Sequence, residues 1–352
     1  MTIHGGDVWH LGVPAQEVLD FSANVNPRGL PPRALAQLAS DAANPQLLQR
    51  YPDPTSHTLR TALSRQLDVP PDAIVIGSGA EALIAPALRS MKAARALVPV
   101  PAFSEYPRVC EAQNVEFVPF PLESAQGFPI CADDLRESLT SCDALILNNP
   151  HNPTGALLEA AEVREVTALG VPLLLDEAFI DYAPHASLTR DAFERKGLIV
   201  LRSLTKFYGC PALRVGYAIA YPDTAREIAR LLPTWPVAQS AMDALSLAIE
   251  DREYAEATLC ANATEREILR AHLQALGLTV FPSAANYLLV KLQSGMPPAS
   301  ELRTQLIERH RILIRNCDSY EGLTRGSYIR VAVRSAADNV RLTEALAAEL
   351  KL

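Results

Sequence analysis

Lys206 stands among hydroxyls in Arg202-Ser203-Leu204-Thr205-Lys206-Phe207-Tyr208, just past an apolar run, with Arg214 eight residues further on. An amine in such a setting can attack a carbonyl and hold it covalently. A lone lysine is usually a solvated surface charge, so the reading rests on its company. Leu173-Leu174-Leu175-Asp176-Glu177 ends an apolar run in two acids, and a carboxylate buried there needs a cationic or hydrogen-bonding partner. In Asn148-Asn149-Pro150-His151-Asn152-Pro153-Thr154-Gly155, two Asn-Pro steps hold the chain extended and turning, which presents the Asn152 amide. Gly77-Ser78-Gly79-Ala80-Glu81-Ala82 places small residues at a helix entrance. The free N–H groups and positive dipole end there suit a phosphate. The same string fits G-x-G-x-x-A, a dinucleotide fingerprint that also requires an acid about 20 residues on. That place reads Val98-Pro99-Val100-Pro101, so a nicotinamide dinucleotide is not expected. No metal is expected either, because the six cysteines form no CxxC pair and do not cluster with the seven histidines.

These groups need strands that deliver them to one edge. Continuous apolar runs predict strands over Ala73–Gly77, Arg95–Val100, Val115–Pro119, Asp143–Asn148, Val171–Asp176, Leu198–Arg202 and Val215–Ala220. Helical patterns fall between most of them, at Glu81–Met91, Phe103–Gln113, Ala132–Leu139 and Leu158–Leu169. Strand–helix alternation of this kind predicts an α/β fold with a mainly parallel seven-stranded sheet covered on both faces. Ligands of such sheets bind at the C-terminal edge. After Tyr221 the texture changes. Helical patterns fill residues 236–276, and the strands Asn286–Leu292, Ile312–Arg315 and Ser327–Val333 mix with the helices Ala299–Glu308 and Ala336–Leu350. The expected division is an N-terminal arm and helix over 1–45, a large domain over 46–235, linking helices over 236–276 and a small α+β domain over 277–352.

The net charge of 32 − 40 = −8 disfavours nucleic acid and anionic membranes as main partners. No apolar stretch approaches the ~20 residues that span a bilayer. The start, MTIHGGDVWH, shows no secretory pattern, and scattered cysteines in a chain of 352 residues read as reduced thiols. A cytoplasmic location is expected.

Taken together, the glycine turn, Asn-Pro-x-Asn-Pro-x-Gly, strand-end Asp, Ser-x-x-Lys and the later Arg resemble, over essentially the whole chain, the fold-type I family of pyridoxal 5′-phosphate enzymes, the aspartate aminotransferase-like fold. The resemblance implies that Lys206 carries the cofactor covalently and that Asp176 partners its ring nitrogen. By the same resemblance Asn152 donates to the ring hydroxyl and Phe103 stacks on the ring. Gly79, Ala80, Ser203, Thr205 and Arg214 match the family's phosphate cup, and Tyr51 matches a tyrosine that reaches the cofactor phosphate of a neighbouring subunit. A homodimer with shared sites is therefore implied, with the arm packing on the small domain and the partner. Many relatives carry a tyrosine three residues after the Asp. This chain has Phe179 there, so that contact to the ring hydroxyl is expected to be absent.

The ends of the chain narrow the resemblance. His4-Gly5-Gly6, Asp20-Phe21-Ser22-Ala23-Asn24, Arg311-Ile312-Leu313-Ile314-Arg315-Asn316-Cys317 and Tyr328-Ile329-Arg330-Val331-Ala332-Val333-Arg334 resemble the cobalamin-pathway threonine-phosphate decarboxylases. These are close relatives of the histidinol-phosphate aminotransferases. The resemblance implies loss of CO₂ from O-phospho-L-threonine, giving (R)-1-amino-2-propanol phosphate. It implies a substrate site of His4, Gly5, Asn24, Asn152, Arg315 and Arg330, with Arg330 on the carboxylate and Arg315, His4 and Asn24 on the phosphate. Arginine suits both anions through bidentate donation. Amine transfer on histidinol phosphate and decarboxylation of O-phospho-L-serine are the alternatives. A binding protein without catalysis would be expected to lack Lys206 or Asp176.

Overall fold

A computed structural model of the chain describes residues 5–351. His4 lies outside the described residues. The strands are β1 (Leu19–Asp20), β2 (Ile74–Gly77), β3 (Arg95–Val100), β4 (Glu116–Pro121), β5 (Ala144–Asn148), β6 (Leu173–Asp176) and β7 (Leu198–Ser203). They continue with β8 (Gly216–Ala220), β9 (Thr279–Val280), β10 (Tyr287–Lys291), β11 (Ile312–Leu313), β12 (Arg315–Asn316) and β13 (Tyr328–Ala332).

The seven-stranded sheet has the order β2-β8-β7-β6-β5-β3-β4. The pairs among β7, β6, β5, β3 and β4 are parallel, and β8 runs antiparallel to both its neighbours. Side chains alternate between two cores, as the period of two requires. Leu173, Leu175, Leu198 and Val200 face one, with the helices His57–Leu67, Ala160–Thr167 and Gln239–Ile249. Leu174, Ile199 and Leu201 face the other, with Glu81–Met91, Glu105–Ala112 and Pro222–Arg230. Burial on both faces is why these strands read as unbroken apolar runs rather than alternating ones.

The second body is the antiparallel sheet β12-β13-β10-β9, covered by Ala299–His310, Ala336–Leu350 and the 24-residue helix Arg252–Ala275. Two features differ from the sequence expectation. The stretch Ile312–Arg315 is not one strand. Ile312–Leu313 pairs in parallel with β1, whereas Arg315–Asn316 pairs with β13. The intervening Ile314 is fully buried in the small core, so the chain changes pairing partner at an apolar anchor. The arm is also split. Its strand β1 and the buried Phe21 join the small body, but the helix Pro32–Ala42 packs on Gln239–Ile249, and Ala34 enters the large core. Gln239–Ile249 itself buries six residues in that core, which leaves Arg252–Ala275 as the helix shared with the small body. Among the described residues no helix is long and apolar enough to cross a membrane.

Candidate active site

The topology brings the chemistry to one edge. The ends of β5 and β6 lie side by side, Asn148 opposite Asp176, and β7 ends at Ser203 opposite Gly216 of β8. Gly216 is also paired with Gly77 at the end of β2. A cavity of about 380 Å³ opens over this edge, closed on the other side by β12, β13 and the arm. It is lined by Gly5, Asn24, Gly79, Ala80, Phe103, Asn152, Asp176, Ser203, Thr205, Lys206, Arg214, Arg315 and Arg330. Tyr51 is not among them. It is 78% exposed and stacks on Trp235 with ring centroids 4.3 Å apart.

One end of the cavity is an anion cup. Gly79 has φ +84°, and a Cβ there would come within 2.7 Å of Arg214 Nη2. A Cβ on Gly216 would meet Ala80 N at 2.3 Å. These glycines let the Arg214 guanidinium and the loop backbone close on the same space, at the start of the helix Glu81–Met91. Ser203 Oγ caps the next short helix, accepting from Thr205 N at 3.3 Å, and lies 2.8 Å from Thr205 Oγ1. Backbone N–H groups, two hydroxyls and a guanidinium together form a site for a dianion.

In the middle lie Lys206 and Asp176. Burial, Arg330 and Arg214 push the Lys206 amine down to about 8, against the pull of Asp176, so a sizeable neutral and nucleophilic fraction exists near neutral pH. Asp176 is buried. Its Oδ1 accepts from Ala178 N at 3.0 Å and its Oδ2 from the Tyr106 hydroxyl at 2.7 Å. Burial raises the Asp176 carboxyl above its ordinary range, while these two donors and Lys206 oppose the shift. A carboxylate has about four acceptor positions, so two remain for a cationic N–H. Asn152 is oriented by its partners. Its backbone N–H donates to Asn148 Oδ1 at 2.7 Å, and its side-chain Oδ1 accepts from Arg330 Nη1 at 2.5 Å. The amide nitrogen is therefore the end left to donate into the cavity. Phe179 lines the cavity without a hydroxyl, its ring edge-on to Tyr287.

At the far end, Arg315 of β12 and Arg330 of β13 are direct cross-strand partners. Both are at most 5% exposed. Arg330 donates to Asn152, to the Tyr320 hydroxyl at 3.0 Å and to Ser22 O at 3.0 Å. Arg315 donates to Ser319 Oγ at 2.8 Å and lies over the Tyr320 ring. Like charges placed directly opposite repel, and among the described residues no carboxylate pairs with Arg315, Arg330 or Arg214. Arg108, also at the cavity, is bonded by Glu81 and Glu105. Counting Arg108, five cations line the cavity, with Lys206, Arg214, Arg315 and Arg330, against the three carboxylates Asp176, Glu81 and Glu105, a positive excess of two. In a chain of net charge −8, this is a local site for negative charge. Asn24 adds a buried amide whose Oδ1 has no partner among the described residues. Gly5 packs so close to a later stretch of the arm that a Cβ would meet Ser22 O at 2.1 Å.

The sequence reading missed Tyr106, Ser22, Ser319 and Tyr320. Tyr106 falls on the expected helix three residues after Phe103, but nothing in its spacing says that it faces Asp176. Tyr320 sits in a loop whose path depends on the pairing of β12 with β13.

These residues fit pyridoxal phosphate: a dianion cup, a buried amine of lowered basicity, a carboxylate with acceptor capacity left, and an amide donor between them. The family model for aminotransferase class I and II matches residues 16–348. A threonine-phosphate decarboxylase of Salmonella typhimurium is 37% identical, over 97% of this chain and 95% of the relative. Among solved structures, the histidinol-phosphate aminotransferase of Clostridium acetobutylicum superposes with a TM-score of 0.86 at 28% identity, covering 95% of this chain and 100% of that one. The L-threonine-O-3-phosphate decarboxylase of Porphyromonas gingivalis superposes with a TM-score of 0.81 at 25% identity, covering 94% and 99%.

Proposed function

The chain belongs to the aminotransferase class I and II family, and on that premise we propose that it decarboxylates O-phospho-L-threonine to (R)-1-amino-2-propanol phosphate for cobalamin biosynthesis. The observation that carries this reading is the opposed, buried and carboxylate-free pair Arg315 and Arg330. A substrate with a phosphate at one end and a carboxylate at the other satisfies both at once. Histidinol phosphate bears one anionic group, so in that half of an amine transfer one guanidinium of the pair would lack a counter-charge.

The cofactor is pyridoxal phosphate, which when bound supplies a ring that accepts the electron pair left at Cα as CO₂ departs. Lys206 would hold it covalently, Asp176 would take the ring N–H, the Asn152 amide would donate to the ring hydroxyl, and Phe103 would cover the ring. Gly79, Ala80, Ser203, Thr205 and Arg214 take the phosphate. Arg330, fixed by Asn152, Ser22 and Tyr320, orients the substrate carboxylate. Arg315 with Asn24, Gly5 and His4 takes the substrate phosphate. In the net reaction the Cα–carboxyl bond breaks, CO₂ leaves and Cα gains a proton, which the Lys206 ammonium, once the substrate amine has displaced it, would be placed to deliver.

Tyr51 lies exposed and away from its own chain's cavity, which supports a homodimer in which it serves the partner's cofactor. Six free cysteines suit a reducing compartment, the cytoplasm. Steady-state kinetics on three amino acids test the substrate. O-phospho-L-threonine should be preferred over O-phospho-L-serine by about 10-fold or more, the usual worth of a methyl group, and plain threonine should be far poorer than either. Equal use of threonine and its phosphate would refute the reading.

A further inference from the structure

We propose that Tyr106 is a positioning residue for the cofactor, acting through Asp176: its hydroxyl fixes the carboxylate that receives the ring N–H. The inference rests on the reading of Asp176 given above. Tyr106 is 1% exposed, and its hydroxyl donates to Asp176 Oδ2 at 2.7 Å. No other side chain hydrogen-bonds that carboxylate among the described residues. The remaining contact to Oδ1 comes from the backbone N–H of Ala178, within the carboxylate's own turn. Without Tyr106, that single bond would leave the group free to rotate about it.

The local chain makes the arrangement stiff. Tyr106 N donates to Phe103 O at 3.1 Å, and the two rings meet edge-to-face with centroids 5.5 Å apart. One turn of backbone therefore carries both the ring that faces the cofactor plane and the hydroxyl that holds its nitrogen partner. The groups facing Asp176 are Tyr106 from the helix Glu105–Ala112, Lys206 from the turn after β7, and Tyr287 from β10. Of these, Tyr106 is the one that donates directly. A donor to a buried carboxylate favours its ionised form, which is the form that can stabilise a protonated ring.

A double-mutant cycle tests this. Tyr106→Phe keeps the ring and its packing on Phe103, and thermal unfolding of the holoenzyme reports whether the fold is kept. Pyridoxal phosphate affinity, read from cofactor retained on dilution, should weaken about tenfold, as expected for loss of a charge-assisted hydrogen bond. The acid limb of the kcat/KM profile should move up by about one pH unit, because Asp176 now protonates more readily. In an Asp176→Asn background, where no charge remains to be held, the same Tyr106→Phe change should alter affinity less than about threefold. Equal effects in the two backgrounds would show that Tyr106 acts by packing alone, and an unchanged affinity in the single variant would overturn the proposal outright. If Asp176→Asn by itself left affinity and turnover unchanged, the assignment of Asp176 would fall, and this inference with it. Should Tyr106→Phe not fold, 4-aminophenylalanine at position 106, which puts an N–H where the hydroxyl stood, replaces it; affinity restored toward wild type relative to Tyr106→Leu is the supporting result, and affinity no better than that of Tyr106→Leu would overturn the proposal.

Discussion

Replacing Arg315 with alanine tests the proposed division of the two arginines between phosphate and carboxylate. Arg315 is 4% exposed, donates to Ser319 Oγ and has no carboxylate partner among the described residues. A phosphate bound there in the wild type exchanges hydration for charge-assisted bonds in a buried setting. Truncating one partner of such a contact typically costs ~2–5 kcal/mol, because the other charge stays buried and unpaired. At about 1.4 kcal/mol per factor of ten, that is a loss of roughly 30-fold to several thousandfold. The assay is CO₂ release, with kcat/KM measured on O-phospho-L-threonine and on threonine. The phosphorylated substrate should lose at least about 30-fold, whereas threonine, which never used this site, should stay within about threefold. Arg315→Lys should fall between, since it keeps the charge but loses the planar fork. An equal loss on both substrates would mean that Arg315 serves the carboxylate or the fold, and the division of labour between β12 and β13 would be wrong.

Arg330→Ala should depress both substrates together, by about 30-fold or more by the same reasoning, and a phosphate-selective loss would contradict the carboxylate assignment. Lys206→Ala should abolish turnover, and full activity in that variant would remove the assignment. In the apoenzyme, the rate of covalent cofactor capture should climb with pH and level off above about 8, where burial, Arg330 and Arg214 set the Lys206 amine. A plateau only near 10.5 would show an ordinary lysine. His151 is buried, and burial pushes its imidazole down to about 4. Between its ordinary 6.5 and 4 the unfolded chain binds a proton that the folded chain does not, so stability should fall as pH drops through that window. Denaturant midpoints for wild type and His151→Gln should show a flatter dependence in the variant. Tyr51→Ala should loosen cofactor retention in a dimer confirmed by light scattering, and a fully active monomer at assay dilution would refute the shared site.

The large sheet was legible because buried parallel strands are continuous apolar runs, and their ends mark the ligand edge. The placement of Asp176, Asn152 and Lys206 at that edge was readable from that rule, whereas the roles expected of them came from the family resemblance. Cross-strand placement was also within reach for Arg315 and Arg330, fifteen residues apart on neighbouring strands. The break at Ile314 was not, because it depends on β1 arriving from the arm to pair with Ile312 and Leu313. The destination of the helix Pro32–Ala42 was hidden for a similar reason: its apolar stripe says that it packs, not on what. Tyr106 escaped notice because a tyrosine on an amphipathic helix reads as core, and its hydroxyl gains meaning only once Asp176 is found 2.7 Å away. Ser22 contributes a backbone carbonyl to Arg330 from 308 positions away, a contact with no side-chain signature at all.

The central claim is that this site breaks the Cα–carboxyl bond of a phosphorylated amino acid. Holoenzyme supplied with O-phospho-L-threonine labelled in its carboxyl carbon tests it most directly. The account predicts that the label leaves as CO₂, one per molecule of 1-amino-2-propanol phosphate formed, with no requirement for a keto acid. Label retained in an organic acid, with the amine passed to an added keto acid, would contradict it and place the chain with the aminotransferases.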